Sequence, residues 1–164
     1  AAEALGFENA SYDANRHNWP DLRHTGEPGW ACRWCHGAPG IGLARAALLK
    51  RSALNPAILK TDVGHALAGV EAGWPAEIDT LCCGTLGSVE FVCEAADALE
   101  RPDLRSEAAG KLAALVRAAQ STGDYRWNSG ERRFNLGLFR GIAGVGYTLL
   151  RRCNPALPNV LIWE

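Results

Sequence analysis

The spacing of apolar and polar positions along the chain predicts helices and almost no strand. Five segments carry apolar residues at helical spacing or are rich in alanine and leucine, and each opens after a glycine or at a proline. The five predicted helices cover residues 41–52, 56–72, 88–99, 102–120 and 142–152. No strand pattern alternates with these helices, so βαβ architectures are excluded and the predicted fold class is all-α.

The segments outside these helices are predicted to be irregular or extended. Residues 1–30 form an irregular lead-in, because Asn18-Trp19-Pro20-Asp21 and other stretches with proline and glycine favour turns. Residues 123–133 form a polar loop. The apolar residues 160–163 are expected to pack as a short strand or an extended segment.

Three pairs of glycines, each followed by a predicted helix, form an internal repeat. The pairs are Gly37 and Gly40, Gly84 and Gly87, and Gly141 and Gly144. Successive pairs lie roughly fifty residues apart, a period that indicates stacked helical hairpins. Each unit would supply one helix opened by glycines and one return helix. Glycine lets another backbone approach the helix N-terminus, where unpaired N–H groups collect.

Composition and charge are those of a folded globular chain. The sequence has 164 residues, of which 48% are hydrophobic and 21% are charged, so it can bury a core and is not disordered. No disordered linker divides residues 1–164, and we expect one domain, with residues 31–164 as its helical repeats. The net charge of −1 and the lack of a basic stripe exclude nucleic acid as a partner. No apolar run predicts a transmembrane segment.

Three of the six cysteines stand directly before a glycine pair, in Trp34-Cys35-His36-Gly37 and in Leu81-Cys82-Cys83-Gly84. Thiolates are soft ligands that bind Zn²⁺, and three of them leave one corner of a tetrahedron open, as in catalytic zinc sites. Neighbouring cysteines seldom form a disulfide with each other, which favours a reduced, cytoplasmic chain.

Other interpretations of the cysteines stay open. All three could be buried core residues. Alternatively, Cys32 could join Cys35 and the Cys82-Cys83 pair in a structural four-cysteine site. The two remaining cysteines, Cys93 and Cys153, fall within predicted helices and are expected to belong to the core.

The segment from Trp34 to Arg45 resembles the lanthionine synthetase C-like family, and in particular the C-terminal cyclase domain of class II (LanM-type) lanthipeptide synthetases. Further segments carry the same resemblance over most of residues 18–164, in the order of the family. They are Asn18-Trp19-Pro20-Asp21, Cys82-Cys83-Gly84-Thr85-Leu86-Gly87, Gly137-Leu138-Phe139-Arg140-Gly141-Ile142-Ala143-Gly144-Val145-Gly146-Tyr147 and Leu157-Pro158-Asn159-Val160-Leu161-Ile162-Trp163-Glu164.

The resemblance implies an α/α toroid, a ring of seven units with inner and outer helices. This chain has three glycine-opened helices, so we expect it to be the C-terminal portion of the ring, without the N-terminal part and without the dehydratase domain that precedes the ring in LanM proteins. The resemblance also implies a Zn²⁺ cofactor held by Cys35, Cys82 and Cys83, with Cys83 where most members have histidine.

The implied activity is lanthionine or methyllanthionine cyclization, in which a cysteine thiolate of a precursor peptide adds to dehydroalanine or dehydrobutyrine. A free thiol has a pKa of about 8.5, so binding to zinc would activate it. The resulting carbanion needs a general acid, and His36, directly after the first ligand, is the predicted catalytic residue. Otherwise His36 only orients or lines the site. The other histidines, His17, His24 and His65, are expected at the surface or in satisfied contacts.

Two other functions stay open at this point. One is a truncated fragment that binds zinc or a peptide without catalysis. The other is a protein of this family that handles glutathione. The precursor peptide remains the expected partner of a cyclase.

Overall fold

The computed structural model describes residues 2–23, 26–51, 54–127 and 135–163, and within these ranges the regular secondary structure is helical. The helices are α1 (Ala2–Ala10), α2 (Ala38–Arg51), α3 (Pro56–Ala72), α4 (Thr85–Ala98), α5 (Pro102–Thr122) and α6 (Ile142–Cys153). The described residues form isolated backbone bridges but no strand. The all-α prediction is therefore confirmed. None of these helices is both long enough and apolar enough to cross a membrane.

The predicted helices agree with the observed ones, and local signals explain most of their ends. α3 has the predicted bounds, and the side chain of Asn55 caps it by accepting the N–H of Ala57 at 3.0 Å. α5 opens with Pro102 in its first turn and ends at Gly123, whose φ of 85° lies in the left-handed region. α2 and α4 begin slightly earlier than predicted, because the second glycine of each pair lies inside the first turn.

Two predictions for the chain ends are wrong. The lead-in of residues 1–30 is helical over Ala2–Ala10, although none of these nine residues is buried, so no apolar stripe marked the helix. The segment 160–163 forms a turn and not a strand, with the Ile162 N–H bonded to the Asn159 carbonyl at 3.0 Å. The predicted loop 123–133 lies outside the described residues from position 128 onward.

Helix α4 lies at the centre of the fold. Every residue from Thr85 to Ala96 is buried. α4 packs against α2 and α5 and also contacts α3 and α6, so the three glycine-opened helices form a row with α3 and α5 as return helices. This is the arrangement expected for part of an α/α toroid. Full burial of one side chain such as Phe91 contributes about 1.5–3 kcal/mol to the stability of this row.

Ion pairs that involve two buried glutamates of α4 join the helices of the row. Glu90 on α4 accepts hydrogen bonds from Arg151 and Arg152 on α6. Glu94, also on α4, pairs with Lys50 on α2 at 2.7 Å. Burial raises the pKa of Glu90, which shows the cost of placing this carboxylate in the core. Removing one of the two arginines that contact Glu90 would leave this buried carboxylate less well compensated.

The three glycine pairs adopt one shared backbone arrangement at the N-terminal ends of α2, α4 and α6. A Cβ atom on any of the six glycines would collide with the carbonyl oxygen of the residue six positions earlier. The affected carbonyls are those of Ala31 and Trp34 for the first pair, Ile78 and Leu81 for the second, and Asn135 and Leu138 for the third. Gly37 additionally has a φ of 104°, which other residues rarely adopt. The glycines therefore allow each loop to fold back tightly on the start of its helix.

The first unit differs from the others in one contact. In the second and third units, the N–H of the residue after the first glycine donates to a backbone carbonyl, Thr85 to Ile78 and Ile142 to Asn135. In the first unit, Ala38 N–H donates instead to the side chain of Asn18 at 2.7 Å. The Asn18 amide in turn donates to the carbonyls at positions 30 and 31. Asn18 therefore fixes the lead-in against the first glycine loop.

Candidate metal centre

The loops that precede α2, α4 and α6 lie side by side. The backbone N–H of Cys82 donates to the Phe139 carbonyl at 2.8 Å. The Trp34 indole stacks on the Phe139 ring with a centroid distance of 5.6 Å. Within the repeat, Cys35, Cys82 and Phe139 occupy the same position, two residues before the first glycine of each pair. Two of the three loops therefore carry a cysteine at this position.

The sulfur atoms of Cys35, Cys82 and Cys83 converge where these loops meet. Cys83 Sγ lies 3.2 Å from Cys82 Sγ and 3.5 Å from Cys35 Sγ, and all three sulfurs lie within 4.8 Å of one another. Zinc–sulfur bonds of about 2.3 Å place the sulfurs of a tetrahedral site about 3.8 Å apart. The three soft donors and their spacing therefore fit zinc. The structure brings together the three cysteines that the sequence singled out, and the group could hold a metal ion.

The contacts within this group lower the pKa of one thiol. Interaction with the Cys82 thiol holds the pKa of Cys35 at about 5, below the usual range for cysteine. The same contact raises the pKa of Cys82, and burial raises that of Cys83. Neighbouring thiols cannot all lose their protons without a cation between them, because like charges repel. A divalent cation removes this conflict, which is the electrostatic reason that the group suits a metal.

Cys32 does not join the three cysteines, so the four-cysteine alternative is wrong. Its sulfur lies 3.5 Å from the carbonyl oxygen of Gly69, and burial raises its pKa to about 11. Within the described residues, the group with mutually close ligand atoms contains only Cys35, Cys82 and Cys83. Three ligands are therefore present, and the fourth corner has no side chain assigned to it.

The cysteines within helices divide into one buried and one exposed residue. Cys93 on α4 is buried, as predicted. Cys153 is exposed at the end of α6, so its assignment to the core is wrong. The helix ends at this residue, and the sequence pattern did not place it on the outer face.

The His36 side chain lies next to the sulfur group. Its Nε2 atom is 3.7 Å from Cys35 Sγ and 3.9 Å from Asp21 Oδ2. Backbone hydrogen bonds in both directions between Arg33 and His36 close the turn that carries the ring. The imidazole therefore lies beside one of the three candidate metal ligands, and its catalytic role stays a prediction.

The other histidines lie elsewhere. The His65 ring stacks on Tyr12 with a centroid distance of 4.2 Å, and His17 is exposed beside the Tyr12 hydroxyl. Both agree with the prediction of surface or satisfied contacts. His24 lies outside the described residues.

Two functional candidates, Asp21 and Arg23, did not emerge from the sequence analysis. The Arg23 guanidinium forms a bidentate pair with the Asp21 carboxylate, at 2.8 Å through Nε and 2.6 Å through Nη2. Arg23 holds the pKa of Asp21 well below its usual range. The same Nη2 atom lies 3.1 Å from Nε2 of His36. The segment that ends at Asp21 carried two sequence signals, its turn-forming residues and its family resemblance, and neither indicated a contact with His36.

A cavity of about 440 Å³ opens beside the sulfur group. Its lining includes Cys35, His36, Asp21 and Arg23 together with apolar side chains such as Trp34. A thiol in this cavity could reach Cys35 while its carbon chain contacts the indole. The cavity is therefore the candidate binding site for a substrate.

The comparisons with known proteins agree with this arrangement of helices and cysteines. A search of the curated proteins finds no match. The model of one family, described as lanthionine synthetase C-like protein, matches residues 1–162. Because this match spans nearly the whole sequence, the chain belongs to the lanthionine synthetase C-like family.

Proposed function

We propose that the protein is a zinc-dependent cyclase that forms lanthionine or methyllanthionine rings in a precursor peptide. The observation that carries this proposal is the convergence of Cys35, Cys82 and Cys83 within 4.8 Å at the edge of a cavity. Membership in the lanthionine synthetase C-like family suggests the same class of reaction.

The three cysteines would hold the zinc ion as thiolates. When bound, zinc lowers the pKa of a coordinating substrate thiol and so keeps it as a thiolate at neutral pH. Three protein thiolates donate more negative charge than two thiolates and an imidazole, which favours a nucleophilic substrate sulfur. Cys83, at the position where histidine is commoner in the family, would contribute this extra charge.

His36 would supply the proton that completes the addition. The substrate sulfur forms a bond to the β-carbon of the dehydro residue, and the electron pair of the double bond moves to the α-carbon. A proton delivered from the His36 imidazole to the α-carbon balances the reaction. The 3.7 Å distance between His36 Nε2 and Cys35 Sγ supports this role, because the substrate sulfur would bind the same ion as Cys35.

The finer assignment rests on the sequence resemblance. We propose a LanM-type, class II enzyme that acts in the cytoplasm on a dehydrated precursor peptide. The residue motifs around Cys35 and around the Cys82-Cys83 pair support this assignment.

The second candidate is a family member that binds zinc or a peptide without catalysis. The cavity has few groups available for proton transfer, which favours this candidate. Asp21 pairs with Arg23 and Glu8 pairs with Arg45, and a carboxylate in such a pair is a poor proton donor or acceptor. Among the described residues that line the cavity, this leaves His36 as the acid–base group outside a salt bridge with an arginine. Proton transfer in this cavity would then rest on His36.

A cyclization assay tests the proposal. The protein, expressed as its gene encodes it, is incubated with dehydrated precursor peptide, and free thiols are counted by alkylation and mass spectrometry over time. We expect loss of thiols with the wild type and with the control Cys153→Ala, and none above background with Cys35→Ala. Undiminished cyclization by Cys35→Ala without zinc would contradict the mechanism. Peptide binding without any loss of thiols by the wild type would favour the second candidate.

A further inference from the structure

The Arg23 guanidinium is held in one orientation by Asp21. The pair uses Nε and Nη2 of the arginine, so the two hydrogens on Nη1 point away from the carboxylate. Asp21 is itself fixed, with its side chain 8% exposed and its backbone N–H bonded to the Gly29 carbonyl at 2.7 Å. The Arg23 backbone N–H also donates to Asp21 Oδ1. The turn therefore presets the direction of the outward N–H groups.

This guanidinium lies in the cavity beside the sulfur group. Arg23 Nη2 lies 3.1 Å from His36 Nε2, and that atom lies 3.7 Å from Cys35 Sγ. All three residues line the same cavity. The Arg23 side chain is 66% exposed, so a ligand in the cavity can reach it.

Arg45, a second arginine that lines the cavity, is committed to structure. Its guanidinium is 4% exposed and bonds to Asp62 on α3 at 3.0 Å and to Glu8 on α1 at 2.5 Å. Arg45 joins three helices and offers little surface to a ligand. Of these two arginines, Arg23 is therefore the one placed to bind a ligand.

The proposed reaction creates a charge that needs such a group. When a thiolate adds to the β-carbon of a dehydro residue, the electron pair displaced from the double bond is shared between the α-carbon and the oxygen of the adjacent carbonyl. This enolate oxygen is more negative than the carbonyl oxygen of the substrate. Donors that are already oriented toward it lower the barrier, because they need no rearrangement during the reaction.

We propose that Arg23 is a catalytic residue that donates its outward N–H groups to the carbonyl oxygen of the acceptor residue and stabilises the enolate. Asp21 is the positioning residue that orients the guanidinium. The step is balanced: a carbon–sulfur bond forms, the carbon–carbon π bond breaks, and the α-carbon takes up one proton. The inference rests on the proposed function, since it assumes that the substrate sulfur binds to a zinc ion held by Cys35, Cys82 and Cys83.

Two small thiols test the proposal without any turnover. In 3-mercaptopropionate, the sulfur and the charged oxygen have the same bonded separation as in the enolate adduct, and 3-mercaptopropionamide is its neutral counterpart. Their affinities for the cobalt-loaded protein are measured from the sulfur-to-cobalt absorption. We expect the wild type and the control Arg117→Ala, an exposed arginine on α5, to bind the carboxylate about tenfold more tightly than the amide.

The variants decide the outcome. Arg23→Ala should bind both thiols equally, Arg23→Lys should keep part of the preference, and Asp21→Asn should fall between Arg23→Ala and the wild type. A full preference in Arg23→Ala would overturn the proposal and would point to chelation of the metal by the carboxylate. Equal affinities in the wild type would overturn it while leaving the proposed function intact. Failure of both thiols to bind the wild type would contradict the proposed function itself.

Turnover gives a second readout. In the cyclization assay, Arg23→Ala should lower kcat about ten- to a hundredfold with a smaller change in KM, because the contact strengthens in the transition state. Added guanidinium ion at low millimolar concentration should restore part of kcat. An unchanged kcat in a folded Arg23→Ala protein would overturn the proposal even if the thiol affinities behave as expected.

Discussion

The first and third glycine units share a backbone arrangement but differ in chemistry. In both, a glycine pair packs on carbonyl oxygens six residues earlier, and a helix starts from the loop. The first unit carries Cys35 and His36 before its glycines, whereas the third carries Phe139 and Arg140 at the same positions. The Phe139 ring packs against Trp34 of the first unit. The repeat therefore supplies a framework, and the residues before the glycines determine whether a loop offers candidate metal ligands or only packs.

The largest effect is expected from breaking the framework itself. A Cβ on Gly87 would lie 2.5 Å from the Leu81 carbonyl oxygen, so Gly87→Ala forces the loop away from α4. We expect urea unfolding to show a loss of about 2–4 kcal/mol. Gly64→Ala is the matched control, because its Cβ meets nothing within 4 Å on the exposed face of α3. That variant should be more stable by about 0.5–1 kcal/mol. Equal effects of the two substitutions would contradict the shared packing of the glycine loops.

Zinc affinity should depend on the cysteines of the first two glycine units and not on cysteines elsewhere in the chain. Cys35→Ala should weaken zinc binding more than about a hundredfold, because ligand loss costs more than loss of the groups that orient a ligand. Cys32→Ala and Cys153→Ala should stay within a few-fold of the wild type, since neither sulfur belongs to the group. The affinities are measured by competition with a chromophoric chelator. A large loss of zinc affinity in Cys32→Ala would instead support a structural site with four cysteines.

His36, the residue after the first cysteine ligand, should affect the rate of cyclization and not the affinity for zinc. His36→Asn should slow cyclization about a hundredfold, which is at the lower end of the usual contribution of a general acid. Zinc affinity should change only a few-fold, because the imidazole lies outside the group of three sulfurs. Both quantities are measured on the same preparation. If His36→Asn lowered zinc affinity strongly as well as the rate, His36 would instead be identified as a fourth ligand.

The smallest effect is expected at the packing position of the third unit. Phe139→Leu removes the stacked ring but keeps an apolar side chain, and we expect it to lower the free energy of unfolding by about 1 kcal/mol. The zinc affinity of the folded variant should remain within about twofold of that of the wild type. The reason is that the Cys82 N–H bonds to the Phe139 carbonyl and not to its ring. Calorimetric titration with zinc would reveal a larger loss, which would show that the ring itself orients the ligands.

The sequence predicted the row of helices and the sulfur group because both depend on local signals. Glycines that admit a close backbone mark the starts of α2, α4 and α6, and proline marks those of α3 and α5. The three cysteines of the sulfur group are located by the same glycines, because they lie one or two residues before the first glycine of a pair.

The remaining features depend on contacts that no local pattern encodes. Helix α1 buries none of its residues, so its sequence lacks an apolar stripe. Arg23 contacts His36 across thirteen residues of chain, in a lead-in that Asn18 joins to the first glycine loop. The exposure of Cys153 likewise depends on which face of α6 is covered by its neighbours.

The central claim is that three cysteines hold one zinc ion and leave a corner for the substrate thiol. X-ray absorption at the zinc edge counts the ligands directly. We predict three sulfurs at about 2.3 Å and one nitrogen or oxygen neighbour in the zinc-loaded protein, and four sulfurs after addition of a substrate thiol. Four sulfurs before any thiol is added, or fewer than three, would contradict the account.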